Sequence, residues 1–201
     1  MIKTAQATTA KDVRERVLAA ALGRFAQYGY NKTTMAEIAK DCDMSAANLY
    51  RFFEDKQAIG AALAHQTLAE KERRLRDVIV QPGLSATQRV EAFVRALFRN
   101  MYEQFNDKPR IGELVEMISR ERLDIIGQHK EVTRSLLATI LAQGNASGEF
   151  DVDDPSASAE TVLVATTVFC VPYFLHWYSK EKFEQLFKQM MELIVRGLEK
   201  R

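Results

Sequence analysis

Apolar residues recur at steps of three and four along nearly the whole chain, and no segment shows a convincing run of alternation. Such a period gathers the apolar side chains of each segment on one face of a helix, where a half-buried strand would alternate. Four prolines and nine glycines in 201 residues are too few for a chain built of tight turns. The expectation is an all-α fold. With 47% hydrophobic and 27% charged residues, the chain can bury a core and lacks the composition of a disordered or collagen-like protein.

Helix starts are marked by hydrogen-bonding residues. Thr9 with Asp12, and Thr34 with Glu37, have capping-box spacing, in which the hydroxyl takes a backbone N–H and the acid takes another in return. The first pair heads a face of Val13, Val17, Leu18, Ala21, Leu22 and Phe25, ended at Gly29, which suits a left-handed cap. The second heads a short stripe of Met35, Ile38, Ala39 and Cys42. Asp43-Met44 then makes a turn, and Ser45 caps a segment running to Phe53 with Leu49 and Phe52 or Phe53 inward. Asp55 caps a long helix through Leu63, Leu68 and Leu75, stopped at Pro82-Gly83. Further helices are expected over 85–105, 111–120, 123–145, 155–178 and 180–200, with a loop at 144–148. Arg73, Arg74 and Arg76 lie among Glu70, Glu72 and Asp77 and read as a solvated, salt-bridged face. The domain boundary is expected after Asp55, giving residues 1–55 and 56–201.

Several classes are excluded. The net charge is +1, and residues 1–56 hold nine Lys and Arg against seven Asp and Glu, so any nucleic-acid binding must rest on local placement of charge. Cys42 and Cys170 have no metal-ligand or disulfide-framework spacing, and His65, His129 and His176 stand alone. No phosphate loop, dinucleotide fingerprint, nucleophile elbow or zinc-protease motif is present, so no catalytic residues, metal or cofactor are expected. The start of the chain has no apolar signal segment. Residues 161–178 are richest in apolar side chains but are short for a bilayer and carry Thr161, Thr166, Thr167, Pro172 and His176. They read as a helix buried between its own core and a partner subunit, so no membrane partner is expected and the protein is placed in the cytoplasm.

Short helix, tight turn and short helix make the helix-turn-helix plan, whose second helix fits a DNA major groove. With Leu49 and Phe53 inward, Ala46, Ala47, Asn48, Tyr50 and Arg51 face outward. Two alanines permit close approach, an Asn amide can read an adenine edge, and Arg can pair with guanine or phosphate. Tyr50 and Lys56 are typical phosphate partners, and Thr33-Thr34 offers backbone N–H groups.

Through these residues the sequence resembles the tetracycline-repressor (TetR) family of bacterial transcription regulators. The likeness runs through residues 16–25, Tyr28-Gly29-Tyr30, Thr33-Thr34-Met35, Ile38-Ala39, Ser45, Leu49-Tyr50, Phe53 and Lys56, about the first quarter of the chain. It implies an N-terminal three-helix domain that binds operator DNA. It also implies a larger helical domain that binds a small apolar or amphipathic ligand and forms a homodimer through residues 155–178 and 180–200. Ligand binding then releases a palindromic operator, the behaviour of a repressor. By position, Thr33, Thr34, Ser45, Tyr50 and Lys56 match the family's phosphate-contacting sites, and Ala46, Ala47, Asn48 and Arg51 match its recognition face. The chain departs from the family where Ala-Gly-Val is common at the turn, having Cys42-Asp43-Met44, and where Lys-Gly is common, having Ala46-Ala47. Losing that lysine removes a phosphate contact and leaves base reading more dependent on Asn48 and Arg51.

Phe98, Met101, Tyr102, Phe105, Met117, Phe169, Tyr173 and Trp177 are suited to lining a ligand cavity. For any one of them a core or dimer contact is the commoner role, and a pocket is implied by the resemblance alone. The rival classes are an enzyme and a helical adaptor, neither of which would need Tyr50 or Lys56.

Overall fold

The computed structural model describes residues 9–105, 109–170 and 178–200, with side chains described at 9–97, 110–169, 178–179 and 181–200. Regular structure among these residues is helical, apart from one antiparallel bridge between Phe150 and Glu199. The order is α1 (Ala10–Tyr28), α2 (Met35–Asp41), α3 (Ala46–Leu49), α4 (Lys56–Val80), α5 (Ala86–Phe105), a 3-10 turn (Pro109–Ile111), α6 (Gly112–Glu121), α7 (Leu123–Ser147), α8 (Pro155–Ala165), α9 (Thr167–Cys170) and α10 (Lys180–Leu198). No helix among the described residues is long and apolar enough to cross a membrane.

The chain divides into two compact units. The first is Met1–Thr67 with Lys108–Ile125, and the second is Leu68–Asp107 with Ile126–Arg201, so the division falls inside α4 and again inside α7.

The first unit buries Val17, Ala21 and Phe25 of α1 with Ile38, Leu49, Phe53 and Ile59. Its caps form as their spacing predicts. Both capping boxes are made, at Thr9–Asp12 and Thr34–Glu37. Ser45 takes the Asn48 N–H at 3.2 Å, and Asp55 takes the Ala58 N–H at 2.6 Å. The turn after α2 places Asp43 at φ +54, the left-handed region. Met44 N–H donates to the Ala39 carbonyl (3.0 Å) and Asp43 N–H to the Lys40 carbonyl (3.1 Å), which together close the helix end in a Schellman motif. Gly29 also has positive φ, but at φ 91 and ψ 155 it leaves α1 in an extended conformation, and not in the left-handed helical one expected. The apolar face of α1 is narrower than its spacing suggests, since Leu22 is exposed.

In the second unit, Phe93, Leu137, Ile140, Leu141, Phe183 and Phe187 are buried together. The Phe169 ring meets Phe183 and Phe187 edge-on, with centroids 5.0 and 5.6 Å away. Arg73 and Arg74 pair with Glu70, Arg73 also with Asp77, and Arg76 with Glu72, the charged face expected of α4.

Three boundaries differ from expectation. Residues 144–147 are helical and not a loop: α7 runs to Ser147, and only Gly148 (φ 78) leaves it. The Phe150 ring folds back onto Gly144 where any Cβ would stand, while the Glu149 and Phe150 N–H groups both donate to the Gly144 carbonyl. Contact with that ring offsets the low helix propensity of glycine. The helix expected over 155–178 breaks at Thr166, whose buried hydroxyl donates back to the Val162 carbonyl at 2.9 Å, a bond that bends helices. Its remainder, 171–177, lies outside the described residues. Finally, the segment from Ser45 to Phe53 is helical only over Ala46–Leu49. It continues as tight turns through the Arg51 to Asn48 and Phe52 to Leu49 hydrogen bonds.

Candidate nucleic-acid interface

The short helices of the first unit are too small to be stable alone. Polar contacts from neighbouring elements fix them. Arg24 of α1 makes a two-pronged bond to Asp41 at the end of α2, approaches Glu37 at 3.4 Å and lies over the Tyr28 ring. The guanidinium holds the Asp41 carboxyl below its ordinary range. Glu37 is lowered chiefly by its hydrogen bond from the Thr34 backbone. Arg14 donates to the Phe52 carbonyl at 2.9 Å and sits 4.1 Å from the Phe53 ring centroid, pinning the turns that follow α3.

On this frame Leu49 and Phe53 point inward. Ala47, Tyr50 and Arg51 are exposed, and Ala46 and Asn48 are half-buried. Tyr50 is 53% exposed. Ser45 and Thr34 are exposed at the starts of α3 and α2. These side chains are polar or small, and Lys32, Lys40 and Arg51 are exposed cations of the same unit. Nothing in the sequence singles out Lys32 and Lys40, because a lone surface lysine has no spacing that marks it.

Two of the expected phosphate partners are turned inward. Thr33 is 2% exposed, and its hydroxyl donates to the Gly29 carbonyl at 2.8 Å. Lys56 donates from its ammonium to the carbonyls of Tyr30 (2.7 Å), Thr33 (2.9 Å) and Asn31 (3.4 Å). Burial pushes its pKa down, opposed by the nearby Glu113 carboxylate. Cys42 is buried, with its thiol toward the Arg16 carbonyl and its pKa raised by that burial.

The same unit includes α6, which no sequence pattern joins to the helix-turn-helix. Glu113 accepts the Asn31 N–H at 2.8 Å, and Gln57 donates to Glu121 at 2.8 Å. Gly60 lets α6 close in: a Cβ there would stand 2.8 Å from Met117 Cε and 2.9 Å from Leu114 Cδ1. No local pattern marks Glu113, since its partner lies 82 residues away.

Of the expected ligand set, Met117 is buried within the first unit and Phe169 within the second. The side chains of Phe98, Met101, Tyr102 and Phe105 lie outside the described ones, as do Tyr173 and Trp177 entirely.

Residues 17–63 match the bacterial regulatory proteins of the tetR family, and residues 86–191, just over half the chain, match the tetracyclin repressor-like C-terminal domain. The chain belongs to the TetR family. Its relatives are transcription regulators with a helix-turn-helix. The regulator UidR of Escherichia coli strain K12 is 24% identical over 162 residues, which are 80% of this chain and 80% of that protein. The probable acrEF/envCD operon repressor of the same strain is 23% identical over 172 residues, covering 76% of this chain and 73% of that one. FadR of Bacillus subtilis, solved in complex with stearoyl-CoA, shares the fold with a TM-score of 0.67 at 17% identity, over 92% of this chain and 98% of that one. As a TetR-family member the protein is a DNA-binding regulator and not an enzyme, and its all-α architecture with an N-terminal helix-turn-helix is that of the family.

Proposed function

We propose that this TetR-family protein is a sequence-specific repressor that binds a palindromic operator as a homodimer and is released by a small-molecule effector. The observation that carries this reading is the outward surface at 45–51, where Tyr50 and Arg51 stand exposed over the buried Leu49 and Phe53. Asn48 and Arg51 read base edges across the small Ala46 and Ala47, while Ser45, Thr34 and Tyr50 contact phosphates. DNA contact is assigned to residues 1–55, and effector binding and dimerisation to 56–201. The repressor role is supported by the operon repressor among the relatives.

A second copy of the chain is the proposed cover for an apolar surface in the second unit. Val164 and Leu193 are 69% and 71% exposed, and a groove between α9 and α10 is lined by Val168, Tyr178, Leu186, Met190 and Leu193. A two-fold pair presents two recognition segments, so the operator has half-sites one or more turns of DNA apart. The effector is apolar or amphipathic. The sequence offers Phe98, Met101, Tyr102, Phe105, Tyr173 and Trp177 for it, and the stearoyl-CoA bound by FadR is one such molecule. The protein works where its operator is, in the bacterial cytoplasm.

The test is a titration of labelled DNA from upstream of the gene, read by anisotropy at two salt concentrations against scrambled DNA. A Kd of about 10⁻⁸ M or tighter that resists competitor is expected. Binding equal to scrambled DNA there, together with no enrichment in a genome-wide selection, would overturn it. Stearoyl-CoA is the first effector to add, read as release of the fragment.

A further inference from the structure

The loop between α1 and α2, residues 29–34, is held from two sides by opposite charges. Lys56 opens α4 and spends its ammonium on three carbonyls of that loop, those of Tyr30, Asn31 and Thr33. The ammonium also lies 4.4 Å from the Tyr30 ring centroid. An ammonium has three protons to donate, so the three carbonyls occupy it fully. From the other side, Glu113 of α6 accepts the Asn31 N–H at 2.8 Å. A Cβ on Gly29 would stand 2.5 Å from its Oε1, so the carboxylate needs the glycine at φ +91 to reach the loop. The loop leads straight into Thr34, the cap of α2, and buries Thr33 on the way. A bond from Lys56 to a DNA phosphate would take its protons from the carbonyls that shape the loop.

We propose that Lys56 and Glu113 are positioning residues for operator binding, which together set residues 29–34 in the conformation that presents α2 and α3 to DNA, and that Lys56 itself neutralises no phosphate. The inference rests on the DNA-binding reading above and names how that surface is held. The phosphate-facing charge then falls to the exposed Lys32 and Lys40.

Salt dependence separates positioning from contact. The probe is a duplex selected by the wild-type protein from a random-sequence library, and Kd is measured over a series of salt concentrations. Lys56→Met should weaken binding about tenfold or more at every salt with the slope unchanged, whereas losing a phosphate contact lowers the slope by about one. Lys56→Arg keeps a cation but cannot gather three converging carbonyls with a planar fork. It should therefore lose affinity too, where a plain phosphate contact would survive. Glu113→Gln makes the protein more positive and should nevertheless weaken binding, and the double variant should lose less than the two singles combined. A slope lowered by one in Lys56→Met, full affinity in Lys56→Arg, or tighter binding by Glu113→Gln would each overturn the proposal. Hydrogen exchange on free protein reads the clamp without DNA: the Asn31 and Thr33 amides should exchange faster in both Lys56→Met and Glu113→Gln, and unchanged exchange overturns it. That arm decides the clamp even where wild type selects no DNA, a result that would sink the DNA-binding reading.

Discussion

The first unit ties the short α2 and α3 to their neighbours with polar contacts, whereas the second packs long helices such as α10 around rings. Arg24, Arg14, Lys56 and Glu113 each bond to an element other than their own. In the second unit Phe93, Phe183 and Phe187 are buried, and Phe169 stacks edge-on against the last two. Two outward faces differ as well. That of α3 presents Tyr50 and Arg51, and those of α8 and α10 present Val164 and Leu193. A four-residue helix such as α3 has little area to bury, so directional bonds must fix it, and its free face can stay polar for a polar partner. Helices of nineteen residues such as α10 bury enough to spare apolar side chains on the outside, which favours a protein partner.

The largest effect is expected where packing dominates. Phe183→Ala should cost about 3–5 kcal/mol in urea unfolding. A loss under about 1 kcal/mol would mean that the rings do not hold the second unit. Next comes the outer apolar face. Leu193→Glu should weaken self-association by about 2 kcal/mol in sedimentation equilibrium, while leaving the unfolding midpoint of the separated chain where it was. An unaltered dimer would move the partner surface elsewhere. In the first unit a single polar device should count for less: Thr34→Ala should cost about 1 kcal/mol, read as loss of helical signal and of DNA affinity together.

The smallest effect is a titration in the second unit. His129 Nδ1 lies 3.0 Å from Glu72, and burial of the imidazole holds its pKa below 6.5 despite that carboxylate. The unfolded chain therefore binds the proton first. His129 contributes its full stability above pH 6.5 and loses it as the pH falls from there through the lowered folded pKa. Midpoints measured across that window should fall more steeply for wild type than for His129→Gln. Parallel slopes would show the imidazole to be as accessible when folded as when unfolded.

How much could be read from the sequence follows the same division. Caps join residues three apart, so Thr9, Thr34, Ser45 and Asp55 announce their helices without any knowledge of the fold. The turn at Asp43 is legible for the same reason, since its closing bonds are local. The direction of Lys56 is not, because it depends on where a loop more than twenty residues earlier offers its carbonyls. Glu113 is more remote still. Gly144 misleads outright: a glycine followed by Asn and Ser reads as a loop until Phe150 is seen lying on it. The outward face of 45–51 was legible because Leu49 and Phe53 fix the inward one.

The first unit is discontinuous in sequence, since it leaves at Thr67 and is completed by Lys108–Ile125. No single cut releases it whole. A chimera that grafts residues 1–55 onto a foreign regulatory half inherits the recognition surface but not Glu113, and the Tyr30 ring then depends on what the new half offers at position 56. Recombination at that seam is therefore constrained. Moving the recognition surface with its supports intact therefore means moving α6 with it.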